Sequence, residues 1–213
     1  KKRSESADYT GRKYDDYVEF VKNNPTYATT EMDTVYNHQE GPYIQTTFIF
    51  ENTGLMIGRL KQHKTSEEMS NSLNYFQELL GDDMYQKLFG LLLTDRGPEF
   101  AKPQLFEVNT ETGEIRSHIF YCDAQMPSQK PHVENNHEFI RDIILKKKSM
   151  SNLTQDKLDL MFSHINSVPR KSLGGKTPYE AFEFFYGKDT LDKLNIQKIK
   201  EDEVTLQPYL LNL

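Results

Sequence analysis

Tryptophan is absent from this chain of 213 residues, and cysteine occurs once, at position 122. A single cysteine excludes a set of intrachain disulfide bonds and is typical of proteins from a reducing cytoplasm. One cysteine with six scattered histidines also provides neither the CxxC nor the HExxH spacing of zinc sites. No apolar run approaches the roughly 18 residues of a membrane span, and the polar first residues lack the apolar segment of a signal peptide.

Basic residues are outnumbered, since 26 Lys and Arg stand against 32 Asp and Glu, a net charge of −6. General nucleic-acid-binding proteins are usually basic, so this balance mildly disfavours that class. The charge is uneven, however, because residues 130–176 contain nine Lys and Arg against five Asp and Glu, whereas the preceding part is acidic. A metal site next to a phosphate-binding face would produce this pattern, and chance clustering explains it equally well on charge alone.

The order of the predicted elements indicates an α/β protein. Alternating and β-branched residues predict five strands, at about residues 29–36, 43–50, 54–62, 88–95 and 117–123. Helices are predicted from the cap Thr65 to Gly81, over residues 131–147, and after the caps Thr154 and Thr177. Three antiparallel strands followed by βαβ connections predict a mixed sheet flanked by helices, with a C-terminal helical extension. This order matches a ribonuclease-H-like arrangement, although many other α/β domains share it.

Three carboxylates are candidates for chemistry because of their places in this order. The segment LLLTDRGPEF predicts a buried strand that ends at Asp95, where ligands of α/β sheets bind; a capping aspartate is the alternative. Asp33 interrupts the first strand, where a carboxylate is costly unless it is hydrogen-bonded, paired or bound to a metal. Glu134 lies near the start of the helix after the fifth strand. If the three cluster, Mg²⁺ or Mn²⁺ would offset their mutual repulsion.

Four segments resemble the DDE transposases of the IS-thirty insertion-sequence family, namely MDTV, LLTDRGPEF, HIFYCDAQMPSQKPHVENNHEFIRDII and LTQDKLDLMFSHINSVPRKSLGGKTPYEAF. The resemblance covers about residues 29–186. It implies an integrase-type catalytic core at 29–150, a linker segment at 1–28, and a helical extension and tail at 151–213.

The resemblance also implies the site and the reaction. It makes Asp33, Asp95 and Glu134 the catalytic and metal-binding triad of a two-metal Mg²⁺ or Mn²⁺ site, with 61 and 38 residues between them. It implies cleavage and transfer of DNA strands, with water or a DNA 3′-hydroxyl as nucleophile and no covalent enzyme intermediate. Glu138, one helical turn after Glu134, is the rival for the third carboxylate.

Several residues are expected to contact DNA, and each has a structural alternative, such as helix capping by Asn135 or a solvated turn around the two glycines at 174–175. They are Lys130, Asn135, Arg141, Lys146, Lys147, Lys148, Arg170, Lys171 and Lys176. The expected partners are double-stranded DNA, as transposon ends and target, and further copies of the chain assembled on it. No membrane partner is expected, and the expected location is the bacterial cytoplasm, at the nucleoid when the protein is bound to DNA.

One loop departs from the family pattern and keeps two other hypotheses open. Before Glu134 the family has a W-Q-(K/R)-G sequence, but Ser128 and Pro131 stand at its Trp and Gly positions. The family's N-terminal helix-turn-helix module is also not found in this sequence. A decayed or repurposed core that binds DNA or a partner without cleaving it is therefore the second hypothesis. A ribonuclease-H-type nuclease, which would cut RNA in a hybrid, is the third.

Overall fold

The computed structural model describes residues 8–36, 44–146 and 148–213. Its strands are β1 Thr29–Tyr36, β2 Ile44–Phe50, β3 Leu55–Lys61, β4 Leu91–Thr94 and β5 His118–Tyr121. They form one sheet in the order β3-β2-β1-β4-β5. The hairpin partners β2 and β3 are antiparallel, with Phe50 opposite Leu55, whereas β4 and β5 are parallel. The predicted mixed five-stranded sheet is thereby confirmed.

Eight α-helices occur in the described residues, and local capping explains where several begin. They are α1 Tyr14–Asn23, α2 Ser66–Leu80, α3 Asp82–Phe89, α4 Pro103–Glu107, α5 Pro131–Ile143, α6 Gln155–Asn166, α7 Pro178–Tyr186 and α8 Lys188–Lys193. The hydroxyls of Thr65, Thr154 and Thr177 each accept a hydrogen bond from the amide three residues on, as predicted. None of these helices is long and apolar enough to cross a membrane.

Two predicted boundaries are wrong. The strand expected from residue 88 begins at Leu91, because Leu88 and Phe89 complete α3. Together with Tyr85 they form a buried face at helical spacing, and Gly81, with φ of 78°, lets α2 end and α3 start without a linker. Helix α5 ends at Ile143 rather than at residue 147.

The chain divides into two units. Unit 1 consists of Lys1–Thr30 and Lys64–Lys130, and unit 2 consists of Glu31–His63 and Pro131–Leu213. In unit 1, aromatic side chains of α1 pack against Leu91, Leu93, Phe120 and Cys122. The single cysteine is thus a small residue of a hydrophobic core. The domain boundaries at residues 28 and 150 stay predictions.

In unit 2, helix α6 covers β3, which lies at the end of the strand order. Backbone groups on such an edge need partners. The side-chain amide of Asn166 accepts from the Met56 amide at 2.9 Å and donates to the Met56 carbonyl at 2.7 Å. Gln155 makes the equivalent pair of bonds farther along β3. A Cβ atom at Gly58 would lie 2.6 Å from the Phe162 ring, so glycine permits this close approach.

Candidate active site

Asp95 lies directly after β4, at the point where the buried strand ends. All four β4 residues are buried, whereas the Asp95 side chain is 49% exposed. Its Oδ1 accepts a hydrogen bond from the Gly97 amide at 2.7 Å, which closes the turn. A Cβ atom at Gly97 would lie 2.9 Å from Asp95 Oδ1 and 2.5 Å from Glu99 Oε2. The glycine of the TDRG segment is therefore required because two carboxylates approach its backbone.

Two basic side chains surround the turn that carries Asp95. Lys130 is buried, and its Nζ lies 3.9 Å from Asp95 Oδ2. Arg96 forms an ion pair with Asp123 at 3.0 Å and lies over the ring of Tyr9. Lys130 was predicted to contact DNA, but its buried ammonium suits a countercharge to Asp95 better than a surface contact with phosphate.

Asp33 occupies the middle of β1 in unit 2 and is half-buried. Its Oδ1 accepts a hydrogen bond from the Thr34 amide at 2.7 Å, and the Thr47 hydroxyl donates to its carbonyl oxygen at 3.3 Å. The carboxylate of Asp33 is therefore oriented by a neighbouring backbone amide, as that of Asp95 is within unit 1.

Glu31 connects β1 to the helix that carries Glu134. It precedes Asp33 by two positions, so both side chains leave the same face of the strand. Glu31 is fully buried, and its Oε2 accepts from the Val133 amide at 2.6 Å. Its Oε1 accepts from the His132 amide at 3.4 Å and from His132 Nδ1 at 2.9 Å. These amides belong to the first turn of α5 and lack intrahelical partners, so a strand residue caps this helix.

Glu51 completes a cluster with Glu31 and His132. Ligand atoms of the three lie within 4.8 Å of one another, a spacing that would admit a cation. Because both oxygens of Glu31 already accept bonds from α5, and because Nδ1 of His132 faces that carboxylate as a donor, we interpret the cluster as an anchor of the helix. Burial, followed by the charge of Glu31, raises the pKa of Glu51 to about 7. The hydrogen bond to Glu31 raises the pKa of His132.

We expect Glu51→Gln to stabilise the protein by about 1–3 kcal/mol at pH 8 and to leave its stability at pH 5 nearly unchanged. A carboxyl group with a raised pKa keeps a proton in the folded state that the unfolded chain releases above 4.5. Glu51 therefore destabilises the folded state increasingly as the pH rises from about 4.5 to about 7, and a neutral glutamine removes this contribution.

Urea unfolding at both pH values measures the effect of Glu51→Gln. Glu201→Gln, at an exposed glutamate of the same unit, is the control. Equal stability of Glu51→Gln and wild type at pH 8 would contradict the raised pKa.

The residues predicted to contact DNA differ in exposure. Exposed side chains are those of Arg141, Lys146, Lys148, Lys171 and Lys176. Arg170 is half-buried, donates to the Ile165 carbonyl and to Asn136, and lies 4.1 Å above the Phe139 ring. Burial lowers the pKa of Arg170 to about 10, so it stays charged at neutral pH. The side chains of Glu134 and Asn135, and the whole of Lys147, lie outside the described part of the chain.

Sequence reasoning did not identify Glu31 and Glu51. A signal was present, since a glutamate in a buried strand, two positions before a candidate catalytic aspartate, must find partners on the same face. The partner could not be named from the sequence, because the capped amides lie 101 and 102 positions away. The rival carboxylate Glu138 is exposed on α5.

The sequence of this chain matches no family model. Transposase InsI for insertion sequence element IS30A of Escherichia coli (strain K12) is 38% identical over 92 residues, which cover 43% of this chain and 23% of that protein. The transposase for insertion sequence element IS1086 of Cupriavidus metallidurans is 29% identical over 106 residues, which cover 50% of this chain and 30% of that protein. The chain thus spans less than a third of the length of these curated relatives.

A solved structure shares the fold. The HTLV-2 integrase catalytic core domain, determined in complex with magnesium, matches with a TM-score of 0.50 at 18% identity, over 72% of this chain and 95% of that one. This likeness confirms the predicted ribonuclease-H-like fold of integrase cores. The chain is therefore similar in sequence to the transposases of IS30-type insertion sequences and similar in fold to integrase catalytic cores, as its motifs indicated.

Proposed function

We propose that this chain is the catalytic domain of a bacterial transposase, which cleaves DNA strands and transfers their ends with the help of divalent metal ions. The observation that carries this proposal is Asp95, a half-exposed carboxylate directly after a buried strand, in a TDRG segment of an integrase-like fold. Asp33 in β1 and Glu134 in α5 are the other proposed catalytic carboxylates. The curated relatives, which are named as transposases, support this assignment.

The proposed ligands suit Mg²⁺ or Mn²⁺. Hard cations prefer oxygen, and all three candidates are carboxylates. One oxygen of Asp33 and one of Asp95 are each held by a backbone amide, so these side chains are oriented in advance. When bound, two such ions would polarise the scissile phosphate and activate the attacking hydroxyl. Lys130, buried beside Asp95, offsets part of that carboxylate's charge.

The test is incubation of the chain with supercoiled plasmid and with a 3′-hydroxyl oligonucleotide, in Mg²⁺ or Mn²⁺. We expect metal-dependent nicks with 3′-hydroxyl ends and insertion of the oligonucleotide into the plasmid. An RNA–DNA hybrid with the sequence of the oligonucleotide is tested in parallel. Cutting of its RNA strand without any joining of DNA would favour the ribonuclease-H-type alternative.

A second candidate function rests on the loop before Glu134. Ser128 and Pro131 replace the tryptophan and glycine of the resembled pattern, which motivates a core that binds DNA or a partner without cleaving it. A folded chain that binds duplex DNA but cuts neither DNA nor hybrid would favour this reading. Mn²⁺-dependent cleavage that disappears in Asp33→Asn would exclude it.

The exposed cations of unit 2 are proposed to contact DNA phosphates. We expect Lys171→Ala and Lys176→Ala each to weaken duplex binding. Each should also reduce the slope of log affinity against log salt concentration by about 0.9, because the phosphate that the lysine no longer contacts keeps its counterion on binding. Fluorescence anisotropy across a salt series measures both quantities. Lys193→Ala, at an exposed lysine of the acidic C-terminal part, is the control. Equal slopes for all three variants and wild type would argue against this surface.

The proposed partners follow from the reaction. Reactions of this kind usually use two protomers on paired DNA ends, so we propose that copies of this chain associate when they are assembled on double-stranded DNA in the bacterial cytoplasm. Analytical ultracentrifugation with a duplex that carries two ends would detect the association. A single copy per duplex at every concentration would contradict it.

A further inference from the structure

The first free amides of helix α5 are bonded by a carboxylate from a distant strand. The residue before α5 is Lys130, whose side chain cannot accept a hydrogen bond, and Pro131 at the first helical position has no amide hydrogen. The next amides, those of His132 and Val133, therefore need an acceptor from elsewhere in the fold. In unit 2 this acceptor is the carboxylate of Glu31.

The contact between Glu31 and α5 is strong for three reasons. The carboxylate is fully buried, so its bonds are protected from competing water. Both oxygens are engaged, and the Val133 amide approaches to 2.6 Å, the short distance of a charge-assisted bond. The negative charge also lies at the positive end of the helix. Any shift of the first turn of α5 along β1 would break these bonds and leave a buried carboxylate unsatisfied.

We propose that Glu31 is a positioning residue that holds Glu134 in register with Asp33. This inference rests on the proposed function, in which those two carboxylates act in catalysis. Glu31 lies two residues from Asp33 on β1, and Val133, which it binds, is the residue before Glu134 on α5. Its hydrogen bonds are thus a direct connection between the strand that carries one catalytic carboxylate and the helix turn that carries another.

The variant Glu31→Gln tests this role. Glutamine keeps the length of the side chain, but one acceptor oxygen becomes an NH₂ group that cannot accept from an amide. We expect kcat for DNA cleavage to fall about 100-fold, because a misplacement of about 1 Å is sufficient for such a loss, whereas KM for DNA stays unchanged. Hydrogen exchange of the His132 and Val133 amides should become faster.

A matched control separates positioning from stability. Thr154→Ala removes the cap of α6, a helix that carries no proposed catalytic residue. We expect this variant to lose stability but to keep the kcat of wild type. If Glu31→Gln fails to fold, His132→Ala replaces it, because its ring is 44% exposed and contributes one of the bonds to Glu31. A decrease of kcat of about 10-fold is then expected.

The outcomes distinguish this inference from the proposed function. If wild type cleaves DNA, Asp33→Asn does not, and Glu31→Gln retains the kcat of wild type, the proposed function stands and the positioning role is overturned. If His132→Ala is the variant used, an unchanged kcat overturns it equally. If wild type does not cleave at all, the proposed function fails in this assay, and hydrogen exchange decides whether Glu31 holds the first turn of α5. Exchange of the His132 and Val133 amides at the wild-type rate in Glu31→Gln would overturn that hold.

Discussion

Asp95→Asn is expected to lower the rate of DNA strand cleavage by about 10³-fold or more without unfolding the protein. Asparagine has the same shape, and its Oδ1 can still accept from the Gly97 amide, so the turn after β4 persists. The change replaces a negative oxygen with a neutral NH₂ group, which cannot bind a hard cation. The loss therefore concerns metal binding and catalysis rather than the fold.

Single-turnover cleavage and calorimetric titration with Mn²⁺ measure the two effects of Asp95→Asn. Asp123→Asn is the matched control, since Asp123 is also a carboxylate just after a parallel strand of unit 1. Its oxygens are already engaged by Arg96 and Gln129, so we expect this variant to keep most of its activity. Cleavage by Asp95→Asn at the rate of wild type would show that Asp95 is not a catalytic residue.

Asn166→Ala is expected to lower the free energy of unfolding by about 2–5 kcal/mol, the largest stability effect that we predict. Asn166 is fully buried, and its amide satisfies both the N–H and the C=O of Met56. Alanine would leave two buried backbone groups of the edge strand β3 without their side-chain partners.

Urea unfolding of Asn166→Ala and Gln155→Ala provides a matched comparison. Gln155 makes the same pair of bonds, to the Leu60 amide and the Gly58 carbonyl, each at 3.0 Å. It is only half-buried, so water can reach the backbone groups that it leaves, and we expect a loss of about 1 kcal/mol. Equal losses in the two variants would show that burial of the amide does not determine its contribution.

The predicted strands and caps were largely correct because their signals are local. The hairpin between β2 and β3 follows from a tight turn that ends in Gly54, whose φ is 69°. The caps Thr65, Thr154 and Thr177 each bond an amide only three residues away. Helix α3 was missed because its apolar residues run directly into those of β4, and a short apolar run has the same appearance in a helix and in a buried strand.

The sequence by itself determined that a buried strand leads to Asp95 and that Asp33 stands in a strand where a carboxylate needs partners. These conclusions rest on turn chemistry and burial over a few residues. Only the tertiary structure decided that Glu31 caps α5 and that Lys130 is buried beside Asp95. Such contacts join residues tens of positions apart, and a chain can bury a charged side chain only where the fold provides its partner.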